Sequence, residues 1–423
     1  MVAPRRVLMI AYHFPPMRGS SGVQRTLKFS QYLPQSGWQP LVLSAHRRAY
    51  DNPGDDQMAD IPAGVPVRRA FALDSGRHLA VRGRYAGFLA LPDRWVSWCL
   101  GAIPAGLALA RRHRPQVIWS TYPIATAHLI GLALHKLTGL PWVADMRDPM
   151  TDLDYPSDRL TRRLYLWIER RAVQHCARLV CTTPGALADY ARRFPHIPRE
   201  RFCLIENAYD EENFSAAEAL AAPARAAGAP FVLIHSGVIY PSERDPLPLL
   251  EALAELRRRK LLAPASFQLL LRATGHDDYL RALIDERGLA DLVTLAPHLP
   301  YRAALAEMLA ADGLLILQAA NCNRQVPAKL YEYLRARRPI LALTDAAGDS
   351  AATLRKAGID SIAALDNKED IMQALLRFLA LAARGAAPLA SAATIRAHSR
   401  QARALELAAL LDEVALQAQR GRP

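Results

Sequence analysis

The chain has 423 residues, enough for two large domains or three small ones, and its hydrophobic content of 51% excludes wholesale disorder. The formal net charge is +13, yet only six of the 53 Lys and Arg residues are lysines, and the arginines are spread along the chain. This dispersed charge, with no recognition module visible, argues against a nucleic-acid partner. The five cysteines form no CxxC pair, so neither a disulfide framework nor a structural zinc site is expected, and a reducing compartment fits best.

The beginning of the chain predicts one βαβ unit. A short apolar run, Val7 to Tyr12, is typical of a buried strand and is too short for the core of a signal peptide. A loop rich in Pro, Gly and Ser leads into a helix that stops at Gly37, and residues 38–45 form a second strand. A strand, a glycine loop, a helix and a strand in this order indicate a parallel sheet.

The same alternation continues through the first half. Two long uncharged stretches, 95–110 and 115–135, are interrupted by Pro104 and by Pro123. Neither is predicted to cross a membrane, and we expect a cytoplasmic protein. An apolar helix is predicted to end at Gly139 and a basic amphipathic helix to cover 158–176. The predicted strands of this part are 116–121, 141–148, 178–183 and 202–209.

The pattern restarts after a predicted interdomain linker at 210–230. The second half is predicted to contain a helix at 246–260 and one or two closing helices at 391–418, with strands at 231–237, 267–275, 292–299, 313–320 and 339–343. Two successive Rossmann-like halves of α/β class are therefore expected. Ligands of open parallel sheets lie beyond the carboxyl ends of the strands, so the loops after these strands hold the candidate site.

Two groups of residues in such loops of the first half are candidates for ligand contact. Gly19 and Gly22 precede a helix, where backbone N–H groups can approach an anion, although a Gly/Ser loop is also an ordinary turn. Asp145, Arg147 and Asp148 close a strand. Their carboxylates could orient a hydroxyl, or the arginine could pair with a neighbouring acid and have only a structural role.

Histidines form a third group. His128 lies on an apolar helix, and His13 and His235 each lie near the end of a strand. Each of them could contact a ligand or could be a buried residue with its hydrogen bonds satisfied. None of the twelve histidines belongs to an HExxH or similar metal-spaced pair, so no metal site is predicted.

The second half contributes two cations. Arg244 follows the strand that ends in Gly237, and a guanidinium there could clamp a diphosphate. Lys329 and Leu330 open a helix, and a helix N-terminus with an ammonium group suits a phosphate. Glu332 could accept hydrogen bonds from ribose hydroxyls, or it could be an ordinary glutamate of the first helical turn.

The helix at 158–176 carries arginines on one face and apolar residues on another. It could lie on anionic lipid, or it could be a solvated surface. The arginines are Arg159, Arg162, Arg163, Arg170 and Arg171, and the apolar residues are Leu160, Leu164 and Trp167.

Taken together, the motifs resemble those of the family-4 glycosyltransferases with the GT-B fold, especially the bacterial branch that acts on surface polysaccharides. The matching segments follow one another in the family's order and span most of the chain. They are YHFPPMRGSSGVQRTLKFSQYLPQSGW (12–38), LPDRWVSW (91–98) with QVIWSTYPIATAHLIG (116–131), PWVADMRDP (141–149), SGVIYPSERDP (236–246) and VPAKLYEYLRARRPILAL (326–343).

The resemblance implies two facing Rossmann-like domains. Residues 1–208 would bind the acceptor, residues 209–390 would bind the nucleotide sugar, and helices in 391–423 would pack back on the first domain. It implies a nucleoside-diphosphate sugar as donor, a glycan or lipid-linked acceptor, no cofactor and no metal. The basic helix at 158–176 leaves open, beside this, a peripheral contact with the inner face of the cytoplasmic membrane.

Residue roles follow by the same resemblance. Gly19 and Gly22 would approach the donor phosphates or the acceptor, and Gly237 and Leu330 would lie against the donor. Arg244 and Lys329 would neutralise the diphosphate, Glu332 would hold the ribose hydroxyls, and His128, Asp145, Arg147 and Asp148 would line the acceptor side. His128 and Asp148, with the two cations, would be the catalytic group.

Two departures from the family pattern stand out. Arg324 occupies the position of the first of two glutamates usually spaced eight residues apart, and Leu249 stands where a lysine usually follows the arginine at 244. A sugar-nucleotide epimerase and a non-catalytic binder of sugar nucleotides are therefore alternatives to a transferase.

Overall fold

A computed structural model describes residues 5–18, 21–152, 155–220 and 228–420, except for the side chain of Ser21. The chain divides into two compact units. The N-terminal unit contains the residues up to Glu206 together with those from Arg400 onward, and the C-terminal unit is Asn207–Ser399.

The strands of both units are short and mostly buried. They are β1 (Arg5–Ile10), β2 (Trp38–Ala45), β3 (Val67–Ala70), β4 (Val117–Thr121), β5 (Trp142–Met146), β6 (Arg178–Cys181), β7 (Phe202–Leu204), β8 (Phe231–Ser236), β9 (Phe267–Arg272), β10 (Val293–Ala296), β11 (Gly313–Leu317), β12 (Ile340–Leu343) and β13 (Ile362–Ala363).

Helices separate most of these strands along the chain. They are α1 (Ser21–Tyr32), α2 (Ser75–His78), α3 (Trp98–His113), α4 (Ala125–Thr138), α5 (Arg159–His175), α6 (Pro184–Arg193), α7 (Glu211–Glu218), α8 (Pro241–Arg244), α9 (Leu247–Arg258), α10 (Asp277–Glu286), α11 (Tyr301–Ala310), α12 (Ala328–Ala336), α13 (Asp349–Lys356), α14 (Lys368–Ala383), α15 (Ala392–Ala397) and α16 (Arg400–Arg420).

Each unit is built on one parallel sheet. The N-terminal sheet has the strand order β3-β2-β1-β4-β5-β6-β7, and the C-terminal sheet has the order β10-β9-β8-β11-β12-β13. In both sheets the order reverses beside the first strand of the unit, so β1 and β8 flank the switch points at which ligands of such sheets bind. This confirms the predicted pair of Rossmann-like domains.

Both faces of the N-terminal sheet are covered, which explains why its strands are apolar without alternation. Leu8 and Ile10 belong to the core on one face of β1, whereas Val7 and Met9 belong to the core on the other face. Period-two alternation of the side chains thus supplies both cores from one strand. The loops at the carboxyl edge therefore rest on a sheet that is packed from both sides.

The predicted third segment, residues 391–423, is divided between the units. Helix α15 remains in the C-terminal unit, where Ile395 is buried in the core. Helix α16 belongs to the N-terminal unit and buries Leu407 and Leu411 there. The Trp38 indole Nε1 also donates to Asp412 Oδ1 over 2.6 Å.

Two strands and one helix differ from the sequence expectations. Strand β3 contains two arginines and pairs only at the edge of its sheet, and β13 has two residues, so neither has the apolar run that predicts a strand. Helix α7 lies in the predicted linker, but Phe214 and Ala217 are buried in the core of the C-terminal unit. The segment around α7 is therefore part of that unit and not a linker. No helix in the described ranges is both long and apolar enough to cross a membrane.

Candidate active site

Gly237 brings the backbone of the C-terminal unit into close contact with a lysine. The residue follows β8 with a φ of 117°, which side chains other than glycine rarely adopt. A Cβ atom built at this position would lie 2.9 Å from Lys329 Nζ. The glycine therefore allows the ammonium group of α12 to lie against the end of β8.

His235 holds that ammonium group. Its Nδ1 lies 3.0 Å from the Leu315 carbonyl oxygen, which can only accept, so Nδ1 carries the proton. Its Nε2 is then free to accept a hydrogen bond from Lys329 Nζ, at 3.1 Å. Burial, and then the lysine charge, keep the pKa of His235 well below its usual range, so the ring stays neutral.

The ammonium group of Lys329 loses its proton more easily than that of an ordinary lysine. Burial and, after it, the nearby Arg244 lower its pKa to about 7, although the Glu332 carboxylate acts in the opposite direction. At neutral pH the side chain is thus close to its midpoint of protonation. An anion bound beside it would favour the charged form, because opposite charges stabilise each other.

Arg244 lies at the end of the short helix α8. Its Nη1 donates to the Val238 carbonyl over 3.0 Å, and its guanidinium carbon lies 5.6 Å from the centre of the Tyr240 ring. Glu243 is 3.7 Å away, and a fifth of the arginine side chain remains exposed. The structure therefore brings Arg244 and Lys329, predicted from separate motifs, to the same carboxyl edge.

The remaining predicted donor residues lie on α12. Glu332 Oε1 accepts a hydrogen bond from the Tyr301 hydroxyl over 2.7 Å, a contact the sequence did not indicate. The Leu330 side chain is fully buried in the hydrophobic core, so it supports the helix from inside. Arg324 lies in the loop before α12 and is partly buried.

The N-terminal unit has a similar close contact at the first turn of α1. A Cβ atom on Gly22 would collide with Arg147 Nη1 and with His13 Nδ1. Burial and the charge of Arg147 lower the pKa of His13 to about 3, so this ring is also neutral. Gly22 and Arg147 are therefore together, as the sequence suggested, whereas Gly19 lies outside the described residues.

Asp145 has the structural pairing that the sequence left open as the alternative to contact with the acceptor. The carboxylate is fully buried and receives two hydrogen bonds from Arg25, at 2.8 and 3.0 Å, and a third from Thr121 Oγ1 at 2.7 Å. Arg25 also donates to the backbone oxygens of Ile205 and Glu206. Sequence reasoning missed Arg25, because nothing at position 25 of an amphipathic helix marks a partner 120 residues away.

His128 is also fully buried. Its Nδ1 is 2.8 Å from Ser120 Oγ, which accepts the Trp142 indole N–H over 2.8 Å. The three groups are satisfied when the Ser120 hydroxyl donates to Nδ1 and the ring proton sits on Nε2, which has no partner among the described residues. Burial lowers the pKa of His128 to about 4. The His128 ring is stacked against the Tyr122 ring, with the two ring centres 6.4 Å apart. Because its pKa is low, the ring is neutral, and its Nε2–H can donate a hydrogen bond.

Residues 21–208 match the family model of the glycosyl transferase 4-like domain. No curated protein sequence matches the chain at a significant level.

Solved structures resemble the chain over nearly all of its length. Sucrose-phosphate synthase from Thermosynechococcus elongatus has a TM-score of 0.71 at 15% identity, covering 97% of this chain and 99% of that one. Anabaena HepE in complex with UDP and glucose has a TM-score of 0.64 at 14% identity, covering 97% and 100%. The lipopolysaccharide outer core galactosyltransferase WaaB has a TM-score of 0.60 at 12% identity, covering 96% and 99%. At these identities the likeness concerns the fold.

The two Rossmann-like sheets and these likenesses define the GT-B fold. With the glycosyl transferase 4-like domain over most of the N-terminal unit, the chain is a glycosyltransferase. The matched domain is the one that the sequence motifs of the first half indicated.

Proposed function

We propose that the protein transfers a sugar, with retained anomeric configuration, from a nucleoside-diphosphate sugar to a glycan or lipid-linked acceptor in cell-surface polysaccharide synthesis. The proposal rests on one observation: two cations, Arg244 and Lys329, lie close together beyond the end of β8. This position is beside the switch point of the C-terminal sheet. Two cations at this edge match the charge of a diphosphate.

The chemistry requires stabilisation of the leaving diphosphate, on which negative charge develops as the glycosidic bond breaks. Lys329, at the first turn of α12, adds its ammonium to the partial positive charge of the helix N-terminus. Arg244 supplies a guanidinium that can bind two phosphate oxygens. In this scheme side chains provide the positive charge, and neither a metal ion nor a cofactor is needed.

A uridine nucleotide is the donor we test first. Anabaena HepE was solved with UDP and also with UDP-glucose, and both complexes have the fold of this chain. Glu332, fixed by the Tyr301 hydroxyl, would accept hydrogen bonds from the ribose hydroxyls. His128 and Asp148 would act on the acceptor side, His128 as a neutral group whose Nε2–H can donate.

Membrane contact is proposed for one face of α5. Leu160 and Trp167 are 52% and 46% exposed, and Arg159, Arg163 and Arg170 are exposed along the same helix. Exposed apolar side chains interleaved with arginines suit the surface of an anionic bilayer. The protein would then reach a lipid-linked acceptor from the inner face of the cytoplasmic membrane.

The central experiment combines donor binding with turnover. UDP-, GDP-, ADP- and dTDP-sugars are screened by thermal shift, and the best donor is assayed with Lys329→Ala and Arg244→Ala. Lys356→Ala and Arg281→Ala, which remove exposed cations of the same unit, are the controls. Normal donor binding and turnover in both site variants would refute the proposed roles.

Three further measurements separate the finer parts of the proposal. NMR of the product reports the anomeric configuration, and donor incubated without acceptor shows whether an epimer forms. Flotation with phosphatidylglycerol or phosphatidylcholine vesicles compares the wild type with Trp167→Ala. We expect binding only to the anionic vesicles and weaker binding by the variant.

A further inference from the structure

The connection between β3 and α3 carries an exposed apolar segment, residues 79–91, which we call the tip segment. Because β3 ends at the carboxyl edge of its parallel sheet and α3 runs back from that edge, the connection lies on the side of the candidate acceptor residues. Val81 and Phe88 are 75% and 71% exposed, and Tyr85 between them is also exposed. Exposed apolar side chains that are grouped in this way mark an interaction surface.

The tip segment contains an ordered hairpin. The Val81 N–H donates to the Arg84 carbonyl oxygen over 2.8 Å, and the Arg84 N–H donates back to the Val81 carbonyl oxygen over 3.1 Å. Arg82 and Gly83 between them have φ values of 51° and 77°, the positive pair that a type I′ turn requires. Because these backbone groups are hydrogen-bonded within the hairpin, the turn can enter an apolar layer without leaving them unpaired.

Both ends of the connection are anchored to the body of the unit. Arg94 forms a two-pronged ion pair with the fully buried Asp74, at 2.7 and 2.9 Å. The Asp93 carboxylate accepts hydrogen bonds from the backbone N–H and the hydroxyl of Thr126, in the first turn of α4, both over 2.8 Å. His128, predicted to line the acceptor side, lies two residues further along α4. The base of the connection is therefore fixed beside the predicted acceptor side.

The charge of the connection favours one kind of partner. No Asp or Glu occurs between positions 75 and 92, whereas Arg77, Arg82 and Arg84 all lie in this stretch. Arg82 and Arg84 are exposed within the same run as the apolar side chains. Arginines interleaved with exposed aromatic and aliphatic side chains complement an anionic lipid surface, because the cations meet the headgroups while the apolar groups enter the acyl region.

We propose that the tip segment inserts into the anionic leaflet of a lipid bilayer, as a second membrane element separate from α5. Val81, Tyr85 and Phe88 enter the boundary between headgroups and acyl chains, and Arg82 and Arg84 bind headgroup phosphates. Because the connection is anchored beside the acceptor side, insertion brings that side to the level of the headgroups. The insertion itself is independent of the reaction, whereas its use in reaching a lipid-linked acceptor rests on the proposed function.

Flotation of the full chain with phosphatidylglycerol vesicles tests the insertion. We expect Phe88→Ser to weaken binding about tenfold, since it removes one large apolar side chain from the bilayer boundary. Arg82→Ala combined with Arg84→Ala should also weaken it about tenfold, because each arginine contributes to attraction by anionic lipid. Leu137→Ser is the matched control. Leu137 is 62% exposed at the end of α4, on the opposite edge of the same sheet, and this variant should bind like the wild type.

Wild-type binding by Phe88→Ser would show that the tip segment faces another partner, and would overturn the inference. A depth measurement gives a second test that does not depend on α5. Phe88→Trp is made on a Trp167→Phe background, and vesicles with brominated acyl chains should quench its emission more than that of the background protein alone. Equal quenching of the two proteins would likewise overturn the insertion.

Transfer to a lipid-linked acceptor in vesicles separates this inference from the proposed function. If the wild type transfers no sugar while Phe88→Ser loses vesicle binding, the insertion stands and the proposed function fails. If the wild type transfers sugar while Phe88→Ser binds vesicles normally, the proposed function stands and the insertion fails.

Discussion

The carboxyl edges of the two sheets are built alike but carry different cations. In the N-terminal unit, His13 and Arg147 meet at Gly22, and in the C-terminal unit, His235 and Lys329 meet at Gly237. In each unit the cation lies against a glycine and beside a buried, neutral histidine. Because the guanidinium titrates far above neutral pH and the pKa of Lys329 is about 7, only the second edge can change its charge in the physiological range.

Breaking the buried ion pair should have the largest effect on stability. Arg25→Ala leaves Asp145 buried without its cation, and we expect the free energy of unfolding to fall by about 3–5 kcal/mol. Urea denaturation measures this change. Arg257→Ala, which removes an exposed ion pair with Asp291, is the control and should have a far smaller effect. Equal effects of the two changes would show that Asp145 is not held as the structure indicates.

Removing the lysine should have the largest effect on catalysis. Lys329→Ala deletes one of two charges facing the diphosphate, and loss of one such donor typically costs about 100-fold in kcat. Initial rates of transfer with the preferred donor measure it. The melting temperature should change little, and a variant with a normal rate would remove Lys329 from the mechanism.

Filling the space at Gly237 should displace the same ammonium. Gly237→Ala adds strain at a φ of 117° and places a methyl group against Lys329 Nζ, so we expect both a loss of stability of about 1–3 kcal/mol and weaker donor binding. Gly358→Ala is the matched control, since its φ is 81° and a Cβ there meets nothing within 4 Å. The control should lose stability alone. Intact donor binding in Gly237→Ala would contradict the role of the close contact.

The pH dependence of donor binding should show the smallest effect, and it distinguishes the edge that carries Lys329 from the edge that carries Arg147. A lysine with a pKa of about 7 is charged at pH 6 and mostly neutral at pH 8, so it must take up a proton when a diphosphate binds. UDP affinity should therefore fall about tenfold between pH 6 and pH 8. Lys329→Arg, charged throughout, should show a smaller fall. A wild-type affinity that follows the same pH curve as this variant would show that Lys329 does not titrate.

Sequence patterns anticipated the fold better than the chemistry of the site. Apolar runs and glycine loops predicted both sheets because a strand buried on both faces has to be apolar throughout. Strand β3, with two arginines, gave no such signal. The sequence predicted that helix α7 is part of a linker, because nothing in this alanine-rich segment indicates that Phe214 is buried.

The candidate residues show the same division. Local sequence determined that Arg147, Arg244 and Lys329 follow strands or open helices, since strand order alone brings such positions to the ligand-binding edge of a parallel sheet. Only the tertiary structure decided which charges are available. Asp145 is neutralised by an arginine 120 residues away, and Lys329 owes its lowered pKa to burial and to Arg244. Both effects depend on distance in space and on exclusion of water, and neither is written in the spacing of residues along the chain.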